Sequence, residues 1–334
     1  MSRIVTIGEM LVRYQTADNN PLSQSSRLDA YYGGAEANTA VTLGYLGHDV
    51  HYVTALPHEH PLTKAMKKHL RQAGVHTDMI YASEGRIGTY YLEKPVSVKQ
   101  AEVYYDRSGA SVLGLPELPI NWEKLFSEKD WLHVTGITSA LSSELRSLVK
   151  EALQQARHYG VKTSFDFNFR GKLWTPEEAA EAFREVLPLV DHCFAGWKDF
   201  AWLFNWEKQG SSYEEELTHF YQRLHHEFGV ASAASTKREL LEDGSHRLTG
   251  YYFDGESLSA SLPASFKPLD RVGGGDAFAS GVLHGTMTNM PVDELLAFSI
   301  ACSTLTHLVQ GDQGDYEVQD ILRFMQNQRQ DVSR

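Results

Sequence analysis

Asp270-Arg271-Val272-Gly273-Gly274-Gly275-Asp276-Ala277-Phe278 is the stretch on which the reading of this chain turns. Three glycines in a row let a backbone turn without Cβ clashes and approach a ligand closely. The small and apolar residues that follow, Ala277, Phe278, Ala279, Gly281 and Val282, suit a tightly packed helix. The glycines then stand at a helix N-terminus, where unpartnered N–H groups and the helix dipole favour an anion. Such a pocket would offset charge developing on a transferring phosphoryl group. Asp276, at the same point, is placed to accept a proton from an attacking hydroxyl. A plainer alternative stands beside this one: Asp is a favoured N-cap, and Asp276 would then only cap the helix.

Outward from this stretch the chain alternates between short apolar runs and amphipathic ones. Ile4–Gly8, Val50–Leu56, Trp131–Val134, Lys162–Phe167, His192–Ala195 and Val230–Ser235 read as strands. Ala37–Leu46, Pro61–Ala73, Ser143–Tyr159, Pro176–Leu187 and Tyr213–Phe228 read as helices, the first two stopped by Gly47 and Gly74. The last third is helical, in Gly275–Thr288, Pro291–Val309 and Glu317–Gln328. This alternation predicts an α/β fold, three layers with a mostly parallel central sheet covered by helices on both faces. Two segments break the rhythm, at about residues 13–32 and 86–112. Gly88–Leu92 and Glu102–Asp106 are aromatic, two-period patches joined through Pro95 and predict an antiparallel pair; Arg13–Tyr32 is a polar insertion. Together they predict a small β lid. Its tyrosines, Tyr90, Tyr91, Tyr104 and Tyr105, would be a liability on an edge unless they covered a ligand or a second copy of the chain.

Composition narrows the ligand. The formal net charge is −12 and no run of Lys or Arg has the nucleic-acid type, so a DNA or RNA partner is disfavoured. Acidity does not exclude a phosphate ligand, because backbone amides and a metal ion supply local positive potential. Cys193 and Cys302 are isolated within apolar runs and predict buried free thiols. No signal-peptide core and no stretch of membrane-spanning length is present, so a cytoplasmic location is expected. A dinucleotide fingerprint belongs after the first strand, not near the carboxy terminus, which argues against a nicotinamide enzyme.

The nonapeptide resembles the carboxy-terminal signature of the ribokinase-like sugar kinases, usually Asp-Thr-Thr-Gly-Ala-Gly-Asp, with Gly274 in place of Ala. Gly33-Gly34-Ala35-Glu36-Ala37-Asn38-Thr39-Ala40 resembles the substrate-side signature of the same family. The likeness runs from Ile4 to about Phe324 and implies one kinase domain over 1–334. Within the family, Glu36, Tyr104-Tyr105-Asp106-Arg107 and Asp166-Phe167-Asn168-Phe169-Arg170-Gly171-Lys172-Leu173-Trp174 are most similar to 2-keto-3-deoxygluconate kinases. The resemblance implies Asp276 as base and Gly273, Gly274 and Gly275 as anion hole. It places Gly34, Asn38, Tyr90, Tyr105, Arg107, Arg170 and Asp312 toward the sugar. An Arg fork suits the carboxylate of a sugar acid, the work expected of Arg107 and Arg170.

ATP and Mg²⁺ are implied likewise, with Asn168, Lys198, Ser235, Thr236, Lys237, Gly273 and Gly275 toward the nucleotide. For Ser235–Lys237 a polar strand-to-loop transition is an equal alternative, and for Gln310-Gly311-Asp312 a surface turn. One departure stands out. The family's Asn-x-x-Glu is here Gly196-Trp197-Lys198-Asp199, which leaves either Asp199 meeting the metal through water or a weakened metal site. Two rival readings follow: a kinase of fructose or a related ketose, and a sugar-acid or nucleotide binder without catalysis. A homo-oligomer through the lid is the expected assembly.

Overall fold

The computed structural model describes residues 1–18, 20–94 and 101–327. Pro95 and Gln328, both named above, lie outside them. Fourteen strands occur among the described residues. In chain order they are β1 (Arg3–Ile7), β2 (Leu11–Thr16), β3 (Leu28–Gly33), β4 (Asp49–Pro57), β5 (Ile80–Ser83), β6 (Thr89–Glu93) and β7 (Glu102–Asp106). There follow β8 (Trp131–Thr135), β9 (Lys162–Asp166), β10 (His192–Phe194), β11 (Ser232–Leu240), β12 (His246–Phe253), β13 (Leu258–Ala260) and β14 (Ala264–Phe266).

Ten of these form one sheet in the order β13-β12-β11-β10-β9-β8-β1-β4-β5, with β14 also on β12. From β11 to β5 every pairing is parallel. The central strands are buried along most of their length because helices cover both faces; β1 is buried from Ile4 to Ile7. Two apolar cores result, one on each face of the sheet, the second packed by the helices Gly274–Met287 and Val292–His307. Cys193 and Cys302 are buried free thiols, as their apolar surroundings predict. No helix among the described residues is long and apolar enough to cross a membrane.

The far edge corrects the reading of the sequence. The strand expected at Val230–Ser235 runs on to Leu240; β12, where no element was expected, pairs antiparallel with it, and β13 and β14 pair antiparallel with β12. Lys237 and Thr236 therefore sit on a strand and not in a loop.

The four-stranded sheet β3-β2-β6-β7 is the small β unit. β6 and β7 are antiparallel as expected, while the polar insertion is a hairpin of β2 and β3 that joins β6 in parallel. Arg13 stands opposite Tyr31 and Tyr90, and Tyr90 opposite Tyr105. Directly opposed residues share a face, so these four form one row. Tyr14, Tyr91 and Tyr104 form the row on the other face.

Candidate active site

Open α/β sheets bind ligands beyond the carboxyl ends of their strands. A cleft of about 1230 Å³ lies there, with Asp166 and Arg170 after β9, Gly196 and Lys198 after β10, and Ser235 and Lys237 on β11. The small sheet contributes Tyr90, Tyr105 and Arg107, and the helix Gly274–Met287 contributes Gly275 and Asp276. Every residue that the sequence assigned to sugar or nucleotide lines this one space: Gly34, Asn38, Arg170, Asp312, Asn168, Asp199 and Thr236 are all on its wall with those just named. Gly274 alone of the expected set is not on the wall.

The three glycines differ in their reasons. Gly273 is the N-cap, in the left-handed region at φ 80°, and a Cβ there would strike the Asp312 carbonyl. At Gly274 a Cβ would enter the His307 ring. Gly275 has nothing near its would-be Cβ and is exposed to the cleft. Since the helix begins at Gly274, the amides of Gly274, Gly275 and Asp276 are its first three and have no carbonyl within the helix to meet.

Asp276 does not cap the helix, because Gly273 does so and without any side-chain bond. Its Oδ2 instead accepts a hydrogen bond from Asn38 Nδ2 at 2.6 Å. Burial pushes its proton affinity well above the usual carboxylate range, Asp166 and Asp312 add to this, and Asn38 and Arg170 oppose it. Asn38 in turn is held: its Oδ1 accepts from Gln313 Nε2, which also donates to the Tyr32 carbonyl at 3.2 Å, and Gln313 Oε1 meets His69 Nε2 at 2.9 Å. Both ends of the Asn38 amide are thus engaged by protein, where the sequence placed them on the sugar. Gly34, at φ 137°, brings the backbone so close to the Glu9 carbonyl that no side chain fits.

Asp312 is no surface turn. It is 4% exposed, receives the Tyr90 hydroxyl at 3.4 Å and lies 3.2 Å from Arg13 Nε. Arg13, fully buried, makes a two-pronged contact with Asp270 at 2.6 and 3.2 Å. Asp270 also accepts the amides of Arg271, Val272 and Gly311. Sequence reading missed Arg13 and the part played by Asp270. The available signal was a lone Arg in an otherwise alternating strand and an Asp at the head of the glycine run.

The two expected arginines differ. Arg170 follows a turn in which Asp166 Oδ1 accepts the Asn168 amide at 3.0 Å, with Asn168 in the left-handed region at φ 37°. Asn tolerates that conformation. The exposed Arg170 guanidinium makes one bond, to the Phe169 carbonyl, and no ion pair among the described residues. Arg107 points its Nε at buried Glu9, 3.1 Å away, stacks on the Tyr105 ring at 4.7 Å, and leaves Nη1 without a hydrogen bond.

At the other end of the cleft Lys198, Lys237, Arg238 and Arg271 bring four cations to a chain of net charge −12. Trp202, 66% exposed, lies on the wall there; neither it nor Arg271 was foreseen as lining. Ser235 receives the Tyr221 hydroxyl at 2.8 Å, and Lys237 stands over the Tyr213 ring. Asp199 Oδ2 accepts the Gly196 amide at 2.8 Å, which is the local use of the shortened side chain. Asp166 is pushed up to about 7, chiefly by burial, with Arg170 opposing and Asp199 reinforcing; Asp199 itself is raised by burial. Hard carboxylate oxygens short of counter-charge are a donor set that suits Mg²⁺.

Comparison with known proteins gives the class. Residues 1–319 match the model of the pfkB family carbohydrate kinases. The chain belongs to that family and is a sugar kinase, a phosphotransferase with an alcohol acceptor. It is 28% identical to a 2-dehydro-3-deoxygalactonokinase of Haloferax volcanii, over 93% of this chain and 92% of that one. Among solved structures it is similar to a PfkB family carbohydrate kinase from Listeria grayi, at 35% identity, 97% and 100% coverage and TM-score 0.91. It is also similar to the 2-dehydro-3-deoxygluconokinase of Thermotoga maritima, at 30% identity, 98% and 100% coverage and TM-score 0.92. With a kinase established, the reading as a binder without catalysis falls.

Proposed function

We propose that this chain transfers the γ-phosphoryl group of ATP to the terminal hydroxyl of a 2-keto-3-deoxy sugar acid, with 2-keto-3-deoxygluconate as first candidate. The observation that carries the substrate class is the pair of cleft arginines: among the described residues Arg170 makes no ion pair, and Arg107 leaves Nη1 without a hydrogen bond. A guanidinium fork on a carboxylate gains two charge-assisted hydrogen bonds. The relatives from Haloferax and Thermotoga act, by their names, on the galactonate and gluconate forms, and those differ in one hydroxyl configuration.

In this reading the sugar lies against Gly34, Tyr90, Tyr105 and Asp312, its carboxylate toward Arg107 and Arg170. Asp276, fixed by Asn38, removes the hydroxyl proton as the oxygen attacks. The first-turn amides of Gly275 and Asp276, both on the cleft wall, receive the negative charge of the transferring group. Lys198, Thr236 and Lys237, with Asn168 and Ser235 at the wall, face the nucleotide phosphates. Mg²⁺, when bound, would lie toward Asp166 and Asp199 and would neutralise phosphate charge. Closing the small sheet over the sugar excludes water as a competing acceptor.

The test is ADP release with a panel of both sugar acids, fructose and ribose. Selective turnover of the acids, lost in Arg170→Ala by about 10- to 100-fold in kcat/KM, is the expected result. Equal loss on neutral ketoses would overturn the carboxylate assignment and favour a ketose kinase.

A further inference from the structure

At the amino ends of the strands, opposite the cleft, three side chains converge. Asp49 opens β4 and His51 follows two residues later, so both project from one face of the strand. His76 comes alongside through a bridge to His51, its amide donating to the Val50 carbonyl at 2.8 Å. His51 Nε2 lies 3.3 Å and His76 Nε2 2.8 Å from the same oxygen, Asp49 Oδ1. The imidazoles are stacked, with centroids 4.3 Å apart, and the three donor atoms all fall within 4.8 Å of one another.

We propose that Asp49, His51 and His76 form a binding site for a divalent transition ion of borderline hardness, with zinc(II) as the type, separate from the catalytic cleft. Ligand type supports this first: two imidazoles and a carboxylate suit zinc, copper or nickel, while magnesium prefers oxygen donors and retained water. Spacing agrees as well. Ligands at 2.0–2.1 Å on a tetrahedral ion stand about 3.3 Å apart, against 3.3 and 2.8 Å from the two imidazole nitrogens to Asp49 Oδ1. Asp49 Oδ1 is buried and accepts no hydrogen bond of proper geometry, an orphan that a cation would satisfy. Asp78 Oδ1, 4.0 Å from His51 Nδ1, stands on the outer nitrogen, the usual place for a carboxylate that orients a liganding imidazole.

Lys129 separates this reading from a plain hydrogen-bonded cluster. Its Nζ is 2.9 Å from His51 Nε2. An ammonium has only donors, so that nitrogen accepts and turns its lone pair toward the site. A cation thus already rests where an ion would bind, and the metal must displace it. His76 is half exposed, which leaves an entry path and a fourth position for water.

The experiment uses the full chain, stripped with chelator and free of nucleotide. It is titrated with cobalt(II) by visible absorption, then with zinc(II) in competition with a chromophoric chelator. One ion per chain is expected. His76→Asn and His51→Asn should each weaken binding by more than about 10-fold. Lys129→Met should tighten it several-fold, an effect that a merely structural cluster would not produce. Kinase turnover with Mg²⁺ should stay at the wild-type level in His76→Asn and Lys129→Met and reports that they fold. Absence of saturable binding to the wild-type chain overturns the proposal, and so does binding that survives unchanged in His76→Asn.

Discussion

A carboxylate that must accept a proton works best when its affinity for that proton is raised toward the working pH. Asp276 is so placed, with burial raising its pKa and the Asn38 amide restraining the rise. Asp276→Asn keeps the size of the side chain and removes the base, so kcat should fall by about 10²- to 10⁴-fold with ADP release as the readout. Sugar binding, measured by calorimetry, should change little; an active Asp276→Asn enzyme would remove the assignment. Asn38→Leu deletes the hydrogen bond that favours the ionised form, so the Asp276 pKa rises further. The acid limb of kcat/KM against pH should then move to higher pH, and an unmoved limb would show that Asn38 does not act through the base. Arg170 favours the same ionised form. Its loss should shift the limb in the same direction, in addition to its effect on sugar acids.

At the scale of elements, one buried side chain ties the small sheet to the glycine loop. Arg13 leaves β2 and ends between Asp270, which holds the amides of Arg271 and Val272, and Asp312. Removing one member of a buried charge cluster strands the others and costs about 3–5 kcal/mol. Arg13→Met should therefore lower the urea midpoint sharply and raise KM for the sugar, as β2 and the glycine loop lose their common anchor. A variant as stable as wild type would show that the pair breaks even with an apolar contact. The same elements mark what was legible in the sequence. The helix Tyr213–Phe228 was readable to the residue because Ser212 caps it and Gly229 ends it. That Asp276 and Arg170 line the cleft was legible because a glycine run and a strand end are local signals, while Arg107 came through the family resemblance. Arg13 was not, since its partners lie 257 positions away in Asp270 and still further in Asp312. Nor was the engagement of Asn38 by Gln313, which only the meeting of two distant loops creates. β12 escaped because Gly250 and the polar residues before it interrupt its apolar run, and β13 and β14 because three residues are too few to show a period.

For the molecule as a whole, the cleft sets function against stability. Asp166 goes from an ordinary 3.8 to about 7 in the folded chain. The native state then holds a proton that the unfolded chain has released, so stability falls as pH rises from about 4 to about 7. A rise of about 3 pKa units corresponds to about 4 kcal/mol at most, a large part of a typical folding free energy. Buried histidines work in the opposite sense. His133 and His192 sit at about 3, so they stay neutral in the fold while the unfolded chain takes up protons below pH 6.5. Stability from these two is fully present above pH 6.5 and declines as pH falls toward 4. The opposed slopes partly offset each other in the ligand-free protein between pH 4 and 6.5. Asp166→Asn uncouples them. Asn retains an oxygen for the Asn168 amide and cannot ionise, so the variant should be more stable than wild type by roughly 1–4 kcal/mol at pH 8. The gap should close toward pH 4, where the wild-type carboxyl is protonated, so the stability of the variant should climb more steeply with pH than that of wild type. Mg²⁺ with ATP should narrow the gap at pH 8 by supplying the counter-charge that the empty cleft lacks. Urea unfolding of both chains from pH 4 to 8 decides the matter: an Asp166→Asn chain no more stable than wild type at pH 8 would mean that this carboxylate is not held against its charge.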